Sequence, residues 1–277
     1  MSKVHASILV YGSKPPLDEH GKPCGNFPDA SPFTQKLLLY LRMVGISHKY
    51  MTSKRFENNQ QAPKGKIPFI KYPEALNDKL LGDSHLIIEF LQKDPRFGKQ
   101  CQALDAHLSP LQHAQGHAIQ MMVEERLFWA TPYMRWVIKE GQEAGKTHAY
   151  FGPILATYKP ERMKTFLRSF KYVSSFGPAL GRHSYEEAVH LLTQDFAAVE
   201  ILMDVEDGPY LFGAKPSSYD CAVFAQLSTF LIEPVWGRAV PFMKQMRQKF
   251  PKLVKYCLHI VEEFYPEQIG EVLTAGE

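Results

Sequence analysis

The sequence has few cysteines and no apolar run of the roughly 18 residues that a membrane-spanning helix needs. Its four cysteines are scattered, and no two form a Cys-x-x-Cys pair, which favours reduced thiols over the alternative of a disulfide framework. The N-terminal segment MSKVHASILVYG lacks the apolar core and small-residue cleavage site of a secretory signal. We therefore expect a soluble, cytoplasmic protein without a transmembrane segment, and peripheral association with a membrane stays open. The cysteines are Cys24, Cys101, Cys221 and Cys257.

A strong excess of charge of one sign is also missing. Lysine and arginine total 32 against 29 for aspartate and glutamate, and no long basic run occurs, so we expect no nucleic-acid partner. His113 and His117 have helical i, i+4 spacing, but no His-Glu-x-x-His motif and no third ligand accompany them. We therefore predict exposed histidines and no metal site. Glu124 and Glu125 are interpreted as surface or interhelix charges and not as an acid/base pair.

The first third of the 277 residues alternates between strand and helix patterns. Residues 6–11 (ASILVY) predict a buried strand, and a loop rich in glycine and proline follows at 12–30. Apolar residues at helical spacing predict a helix from Ser31 to Gly45, with Gly45 at its end. A small sheet with helices packed on it follows from this order. The remaining predicted elements are strands at 47–51, 66–72 and 78–82, a turn at Asn77 and Asp78, and a helix at 83–94.

The rest of the chain has mainly helical patterns. The segment KDPRFGKQ resembles a linker, and we place the domain boundary within it, giving domains at 1–96 and 97–277. The second domain is predicted to be an all-helical bundle. Its predicted helices cover most of 104–140 and residues 160–176, 184–205, 217–230 and 241–263.

Three short motifs place polar groups at two helix starts and one strand edge. SPFTQK opens the first helix with Ser31, at a place where a redox site would need cysteine. In KGKIPFI, Pro68 stands at the start of a strand, where it has no amide to donate. Either the Ile67–Pro68 bond is cis and turns the Ile67 backbone toward a ligand, or Pro68 lies on an edge strand. Asp83 and Ser84 are capping residues of the next helix, whose N-terminus also offers amides and a positive dipole end to a carboxylate.

In this order the three motifs resemble the thioredoxin-like domain of the glutathione transferases. GAKPSSYDCAVFA, with Ser217 and Asp220 at S-x-x-D spacing, is similar to the capping box in the helical domain of that family. LYLRMVGISHKY, EERLFWATPYMRW and GRHSYEE extend the resemblance to the failed-axon-connections branch, which is related to the metaxins. The resemblance covers nearly the whole chain. It implies an α/β thioredoxin-like domain followed by an all-helical bundle, and a homodimer.

The sequence departs from the redox branches of this family at the thiol position. Those branches have cysteine where Ser31 stands, and relatives often have a second cysteine at the position of Thr34, so thiol transfer through this site is disfavoured. A serine hydroxyl at a helix N-terminus can instead stabilise the glutathione thiolate. Lowering the thiol pKa from about 8.5 by about two units requires roughly 2.8 kcal/mol. Tyr11, at the end of the first strand, is the alternative thiolate donor, because other transferase classes have a tyrosine there; the third interpretation makes Ser31 a helix cap only.

The resemblance implies glutathione as co-substrate and assigns the contacts around it. Ile67 and Pro68 are expected to pair with the tripeptide backbone, and Asp83 and Ser84 to hold the γ-glutamyl end. A lysine is expected at the glycyl carboxylate, with Lys66 preferred over Lys54 and Lys64.

An aromatic stripe at i, i+4 and i+7 is formed by Trp129, Tyr133 and Trp136. It belongs either to the core or to a second-substrate pocket between the domains, for which Phe33, Trp129 and Tyr133 are the candidate residues. Such walls suit an apolar electrophile. The resemblance therefore implies a serine-type glutathione transferase with a role in detoxification. The alternative is a non-catalytic interaction or scaffold protein with the same fold.

Overall fold

A computed structural model describes residues 8–12, 27, 29–52, 62–72, 80–147, 151–156, 159, 161, 165 and 182–274. The N-terminal part of the described chain combines a small sheet with two helices, as predicted. Its strands are β1 (Ile8–Gly12), β2 (His48–Thr52), β3 (Phe69–Lys71) and β4 (Leu80–Gly82), its helices are α1 (Pro32–Met43) and α2 (Ser84–Lys93), and a 3-10 turn covers Pro63–Gly65.

The sheet has the order β2-β1-β3-β4. β1 pairs in parallel with β2, which requires the crossover that α1 provides, and β1 and β4 both pair antiparallel with β3. Ile8 and Val10 are buried while Leu9 and Tyr11 are half-buried, the alternation expected of a strand with one face on the core. The sheet therefore holds the end of β1, the start of β3 and the end of β4 side by side.

Helix α1 begins and ends where its sequence predicts. Ser31 is the N-cap residue, and Pro32 is the first helical residue, a position that tolerates its missing amide. Gly45 follows the helix with a φ of +68°, a left-handed conformation that glycine adopts without steric cost. The turn predicted at Asn77 and Asp78 lies outside the described residues.

The remainder of the described chain is helical, so the structure confirms the combination of a thioredoxin-like domain with an all-helical domain. The boundary between residues 96 and 97 stays a prediction. The helices are α3 (Gly98–Asp105), α4 (Pro110–Met121), α5 (Phe128–Trp136), α6 (Lys139–Thr147), α7 (Phe151–Ala156), α8 (Tyr185–Glu206), α9 (Ser218–Leu231), α10 (Trp236–Ala239), α11 (Pro241–Lys249), α12 (Pro251–Phe264) and α13 (Ile269–Thr274). Met122–Leu127 is π-helical and continues α4 into α5, and Pro266–Gln268 is a 3-10 turn.

Two of the predicted helices have wrong limits. The helix predicted from residue 104 begins at Pro110, because Ser109 caps a new helix there and α3 ends at Asp105. The helix predicted at 241–263 is two helices, because Pro251 has no amide and disfavours a helical conformation at Phe250. The second half of the predicted linker is also helical from Gly98. Most of the helix predicted at 160–176 lies outside the described residues.

Helix α9 forms the centre of the helical domain and packs against both α1 and α12. The Asp220 carboxylate accepts hydrogen bonds of 2.8 Å from the Ser217 backbone N–H, from the Ser217 hydroxyl and from the Leu211 N–H. This confirms the predicted Ser217–Asp220 capping interaction. The contact between α9 and α1 places the first helix of the thioredoxin-like domain directly on the core of the helical domain.

The cysteine thiols of the described residues are free and buried, in agreement with the predicted reduced state; they are Cys101, Cys221 and Cys257. Cys24 lies outside the described residues. Within the described ranges, no helix is both long and apolar enough to cross a membrane.

Candidate functional site

Ser31 lies at the N-terminus of α1 and is half-buried. Its Oγ accepts a hydrogen bond from the Thr34 backbone N–H at 3.3 Å, a long bond for a helix cap. A hydroxyl oxygen that accepts in this way still carries its own hydrogen, which it can donate to another group. Ser31 is therefore a cap with an available donor beside the positive end of a helix dipole.

Asp29 fixes the backbone of Ser31 by a hydrogen bond. One carboxylate oxygen of the buried Asp29 accepts the Ser31 backbone N–H at 2.8 Å, and the other accepts the Tyr50 hydroxyl at 2.8 Å. The Asp29 N–H donates to Gln35 Oε1 at 2.9 Å. The sequence patterns predict only a loop in this segment and assign no role to Asp29. The Asp-Ala-Ser-Pro order was the available signal, because an aspartate commonly accepts the backbone N–H two residues on.

The helical domain holds the same loop from the opposite side. Gln35 Nε2 donates to the Tyr265 hydroxyl at 2.9 Å, and Arg135 Nη1 donates to the Ala30 carbonyl at 3.2 Å. Gln35 and Tyr265 are both buried, so this contact is shielded from water. The position of Ser31 is therefore set jointly by the two domains.

Arg135 is a buried cation at this interface. Its guanidinium lies 4.2 Å from the centre of the Trp236 ring, a cation–π contact. Burial lowers the pKa of Arg135 to about 10, while the nearby carboxylates of Glu233 and Asp29 act in the opposite direction. Arg135 therefore stays charged at neutral pH.

The peptide bond between Ile67 and Pro68 is cis, the first of the two alternatives that the sequence left open. Pro68 is buried and Ile67 is half-buried, immediately before β3. Lys64 and Lys66 on the same turn are exposed, and Lys54 lies outside the described residues.

Asp83 and Ser84 open α2 as predicted. Asp83 is the N-cap residue, and its Oδ1 accepts the backbone N–H groups of His85 at 3.0 Å and Leu86 at 3.4 Å. Its Oδ2 lies 3.6 Å from Lys64 Nζ, so an ion pair between exposed groups joins this helix start to the proline turn. Ser84 is buried. Asp83 itself has a φ of +81°, an unusual conformation for a residue other than glycine.

The sheet brings these motifs together at one end of its strands. Tyr11 pairs with Phe69, the residue after Pro68, and the two rings stack with centroids 4.5 Å apart. Phe69 in turn pairs with Gly82, the residue before Asp83. Gly12, next to Tyr11, lies so close to the first turn of α1 that a Cβ there would clash with the side-chain methyl group of Thr34. Tyr11 stays a candidate thiolate donor, as Ser31 does.

The aromatic stripe divides between core and interface. Phe33 contacts Phe128 with ring centroids 4.8 Å apart, and Phe128 lies 5.2 Å from Trp129. Phe128, for which the sequence predicts no role, therefore joins Phe33 to Trp129. Tyr133 is buried, and its pKa is raised by that burial and by Glu186 on α8.

Trp136 belongs to the core, where the centroid of its ring lies 5.7 Å from that of Trp236.

His113 Nδ1 lies 3.3 Å from the Tyr219 hydroxyl. Among the residues that the structure describes, no group of three or more potential metal ligands occurs. Glu124 is an interhelix charge, one of its two predicted roles, and Glu125 is exposed.

Known proteins resemble the chain over nearly its whole length. The family model described as "Glutathione S-transferase N-terminal domain" matches residues 32–141, and the model "Glutathione S-transferase, C-terminal domain" matches residues 192–260. The isoprene-epoxide–glutathione S-transferase of Rhodococcus sp. (strain AD45) is 30% identical over 261 residues, which cover 93% of this chain and 99% of that protein.

Two further relatives are not named as glutathione transferases. Failed axon connections of Drosophila melanogaster is 26% identical over 253 residues, 87% of this chain but only 56% of that protein. Metaxin-2 of Homo sapiens is 20% identical over 237 residues, 83% of this chain and 80% of that protein. The crystal structure of a glutathione transferase from Phanerochaete chrysosporium has the same fold, with a TM-score of 0.54 at 14% identity over 92% of this chain and 96% of that chain.

Proposed function

Because the chain belongs to the glutathione S-transferase family, with failed axon connections and metaxin-2 among its relatives, we propose that it is an enzyme that adds the glutathione thiol to an electrophilic small molecule. The observation that carries the proposal is the adjacency of three motifs at one sheet edge. Ser31 opens α1 there, the cis Ile67–Pro68 bond precedes β3, and Asp83 opens α2 after β4. A transferase that works through a lowered thiol pKa needs little beyond binding and orientation.

Ser31 is the proposed activator of the thiol. Its hydroxyl donates to the glutathione sulfur, and the N-terminus of α1 adds a positive field, so that the thiolate is favoured over the thiol. Asp29 accepts the Ser31 backbone N–H at 2.8 Å, which fixes the backbone position from which the hydroxyl projects. Tyr11 is the competing donor.

Glutathione binding is proposed along the line from Pro68 to Ser84. The Ile67 backbone pairs with the tripeptide, and the Ser84 hydroxyl and the α2 N-terminus receive the γ-glutamyl carboxylate. Asp83 Oδ2, which lies 3.6 Å from Lys64 Nζ, meets the γ-glutamyl ammonium. Lys66 is proposed for the glycyl carboxylate.

The second substrate is proposed to be an apolar electrophile beside Phe33, Phe128 and Trp129, with Tyr133 as a further wall residue. The relative that acts on isoprene epoxide supports a small epoxide as the first class to test. The thiolate would attack one ring carbon, the carbon–oxygen bond would break, and the alkoxide formed would take up a proton. A role in detoxification, a cytoplasmic location and a homodimer stay predictions.

The alternative is a non-catalytic interaction or scaffold protein, which failed axon connections and metaxin-2 support as relatives. Fold alone does not separate the two functions. The two alternatives differ in whether bound glutathione is activated.

The deciding experiment is a pH titration of protein-bound glutathione, with the thiolate followed by its ultraviolet absorbance. The transferase function predicts a bound-thiol pKa about two units below the free value of about 8.5. Binding with an unshifted pKa would exclude thiol activation and indicate a carrier. Absence of binding would overturn the proposal and favour the scaffold alternative.

A further inference from the structure

A buried ion pair joins α1 to the π-helical turn Met122–Leu127. Lys36 Nζ lies 2.6 Å from Glu124 Oε1, and the two side chains are only 3% and 8% exposed. Burying both partners removes them from water at a cost that their attraction barely offsets. The pair is therefore a weak source of stability, and its position in the molecule is the more informative property.

Lys36 lies on the same helix as Ser31, five residues further along the chain. The pair therefore fixes α1 to the helical domain less than two turns from the proposed thiol activator. A shift of α1 along its axis would move Ser31 by the same distance.

The second oxygen of the same carboxylate extends the connection toward α2. Gln120 Nε2 donates to Glu124 Oε2 at 3.0 Å, and the same nitrogen lies 3.4 Å from His85 Nδ1. An amide nitrogen carries two hydrogens, so it can serve both partners. His85 directly follows Ser84 at the proposed γ-glutamyl site. The Glu124 carboxylate is therefore connected to α1 directly through Lys36 and to α2 through the Gln120 amide, the two helices whose N-termini form the proposed glutathione site.

The π-helical turn holds Glu124 in this place. Such turns are uncommon and occur frequently at functional sites, because the extra residue changes the direction of the side chains around it. On the opposite side of the turn, Arg126 Nε lies 3.0 Å from Asp195 Oδ2 on α8, and Arg126 Nη2 donates to the Leu191 carbonyl at 3.1 Å. The turn is thus anchored to the helical domain through Arg126 and directs Glu124 toward the thioredoxin-like domain.

We propose that Glu124 is a positioning residue that fixes the N-terminus of α1 relative to the N-terminus of α2. This inference rests on the proposed function, because glutathione would span from Ser31 to Ser84. Errors in the relative position of the two helices would then weaken glutathione binding and misplace its sulfur. Misplacement on the scale of 1 Å is known to cost up to about 100-fold in rate.

The test compares glutathione affinity, measured by calorimetry, and the pKa of the bound thiol in folded variants. Glu124→Gln keeps the size of the side chain and removes its charge, and we expect about tenfold weaker binding together with a higher thiol pKa. Because this change leaves Lys36 charged and buried, the double variant Lys36→Met/Glu124→Leu provides a version without an unpaired charge. The same two effects are expected in it.

Two further variants give the matched comparison. Arg126→Met cuts the anchor that holds the same turn on the α8 side, so we expect changes in affinity and thiol pKa in the same direction as in Glu124→Gln but smaller, about two- to threefold in affinity. Gln120→Leu leaves the Lys36–Glu124 ion pair in place and removes both contacts of the Gln120 amide, with Glu124 Oε2 and with His85 Nδ1, so weaker binding with an unchanged thiol pKa is expected.

The results separate this inference from the proposed function. Wild-type protein that binds no glutathione would overturn both. Wild-type protein that binds and activates glutathione, together with folded Glu124 variants of wild-type affinity and thiol pKa, would overturn the positioning role alone. If neither Glu124 variant folds, wild-type affinity in Gln120→Leu would overturn it.

Discussion

Helices α1 and α9 both have a serine as the N-cap residue, but the two caps differ in burial and in the number of hydrogen bonds that they make. At α9 the cap is fully buried, and the Asp220 carboxylate accepts three hydrogen bonds of 2.8 Å from Ser217 and Leu211 and a fourth of 3.1 Å from the Tyr256 hydroxyl. At α1 the cap is half-buried, and Ser31 Oγ accepts a bond of 3.3 Å. A saturated cap stabilises the fold, while a cap with an available hydroxyl can act on a ligand.

The largest effect, on the free energy of unfolding, is expected at the buried cap of α9. Asp220→Ala would leave several buried donors without their acceptor, and we expect a loss of about 3–5 kcal/mol in the free energy of unfolding. Urea unfolding measures this loss. The matched control is Glu187→Ala in the exposed capping box of α8, where about 1 kcal/mol or less is expected. Equal losses at the two sites would mean that burial does not distinguish these caps.

At the α1 cap, removal of the Ser31 hydroxyl should change the pKa of bound glutathione and have little effect on the free energy of unfolding. In Ser31→Ala the helix N-terminus still favours the thiolate, so we expect the pKa of bound glutathione to rise by about one and a half units, equivalent to roughly 2 kcal/mol, and conjugation at neutral pH to fall several-fold. The pH profile of turnover should shift to higher pH by the same amount. Tyr11→Phe is the control. An unchanged thiol pKa in Ser31→Ala with a raised one in Tyr11→Phe would transfer the role to Tyr11.

A third helix start, at α2, is expected to affect binding and not activation. Asp83→Ala removes the proposed partner of the γ-glutamyl ammonium, and we expect glutathione affinity to fall about tenfold, roughly 1.4 kcal/mol, with an unchanged pKa of the bound thiol. Calorimetry measures the affinity. Ser184→Ala, which removes the cap of α8, controls for the loss of a cap alone. Wild-type affinity in Asp83→Ala would contradict the proposed orientation of glutathione.

The smallest effect is expected from the support behind Ser31. Asp29→Ala removes the acceptor of the Ser31 backbone N–H, and we expect the pKa of the bound thiol to rise by about half a unit to one unit, near 1 kcal/mol. Tyr50→Phe removes only the bond to the other oxygen of Asp29 and should have less effect. A larger response to Tyr50→Phe would show that the hydroxyl of Tyr50 acts in some other way.

The elements that local signals could predict are those whose causes lie within a few residues. Ser31 and Gly45 define the ends of α1, and Ser217 with Asp220 defines the start of α9, because each cap acts within about one helical turn. The missed breaks before Pro110 and at Pro251 had local signals too, but the apolar periodicity continued across them and concealed the boundaries. The three site motifs could be found because each lies at a helix start or strand edge.

The contacts between distant residues that hold the site in place could not be predicted from local sequence signals. Gln35 and Tyr265 are 230 residues apart in the chain, Arg135 and Ala30 are 105 apart, and Lys36 and Glu124 are 88 apart. A glutamate in a helical pattern is more often exposed than buried, so nothing near Glu124 indicated its partner.

The amino-acid sequence by itself determined where the helices of the site begin, which residue type stands at each start, and the order of the three motifs. Only the tertiary structure decided which of these starts is saturated with hydrogen bonds, which keeps a donor available, and which charges are buried in pairs. The physical reason is that capping depends on backbone groups within one turn, whereas burial and pairing depend on surfaces that meet only when the sheet and the helical domain pack together.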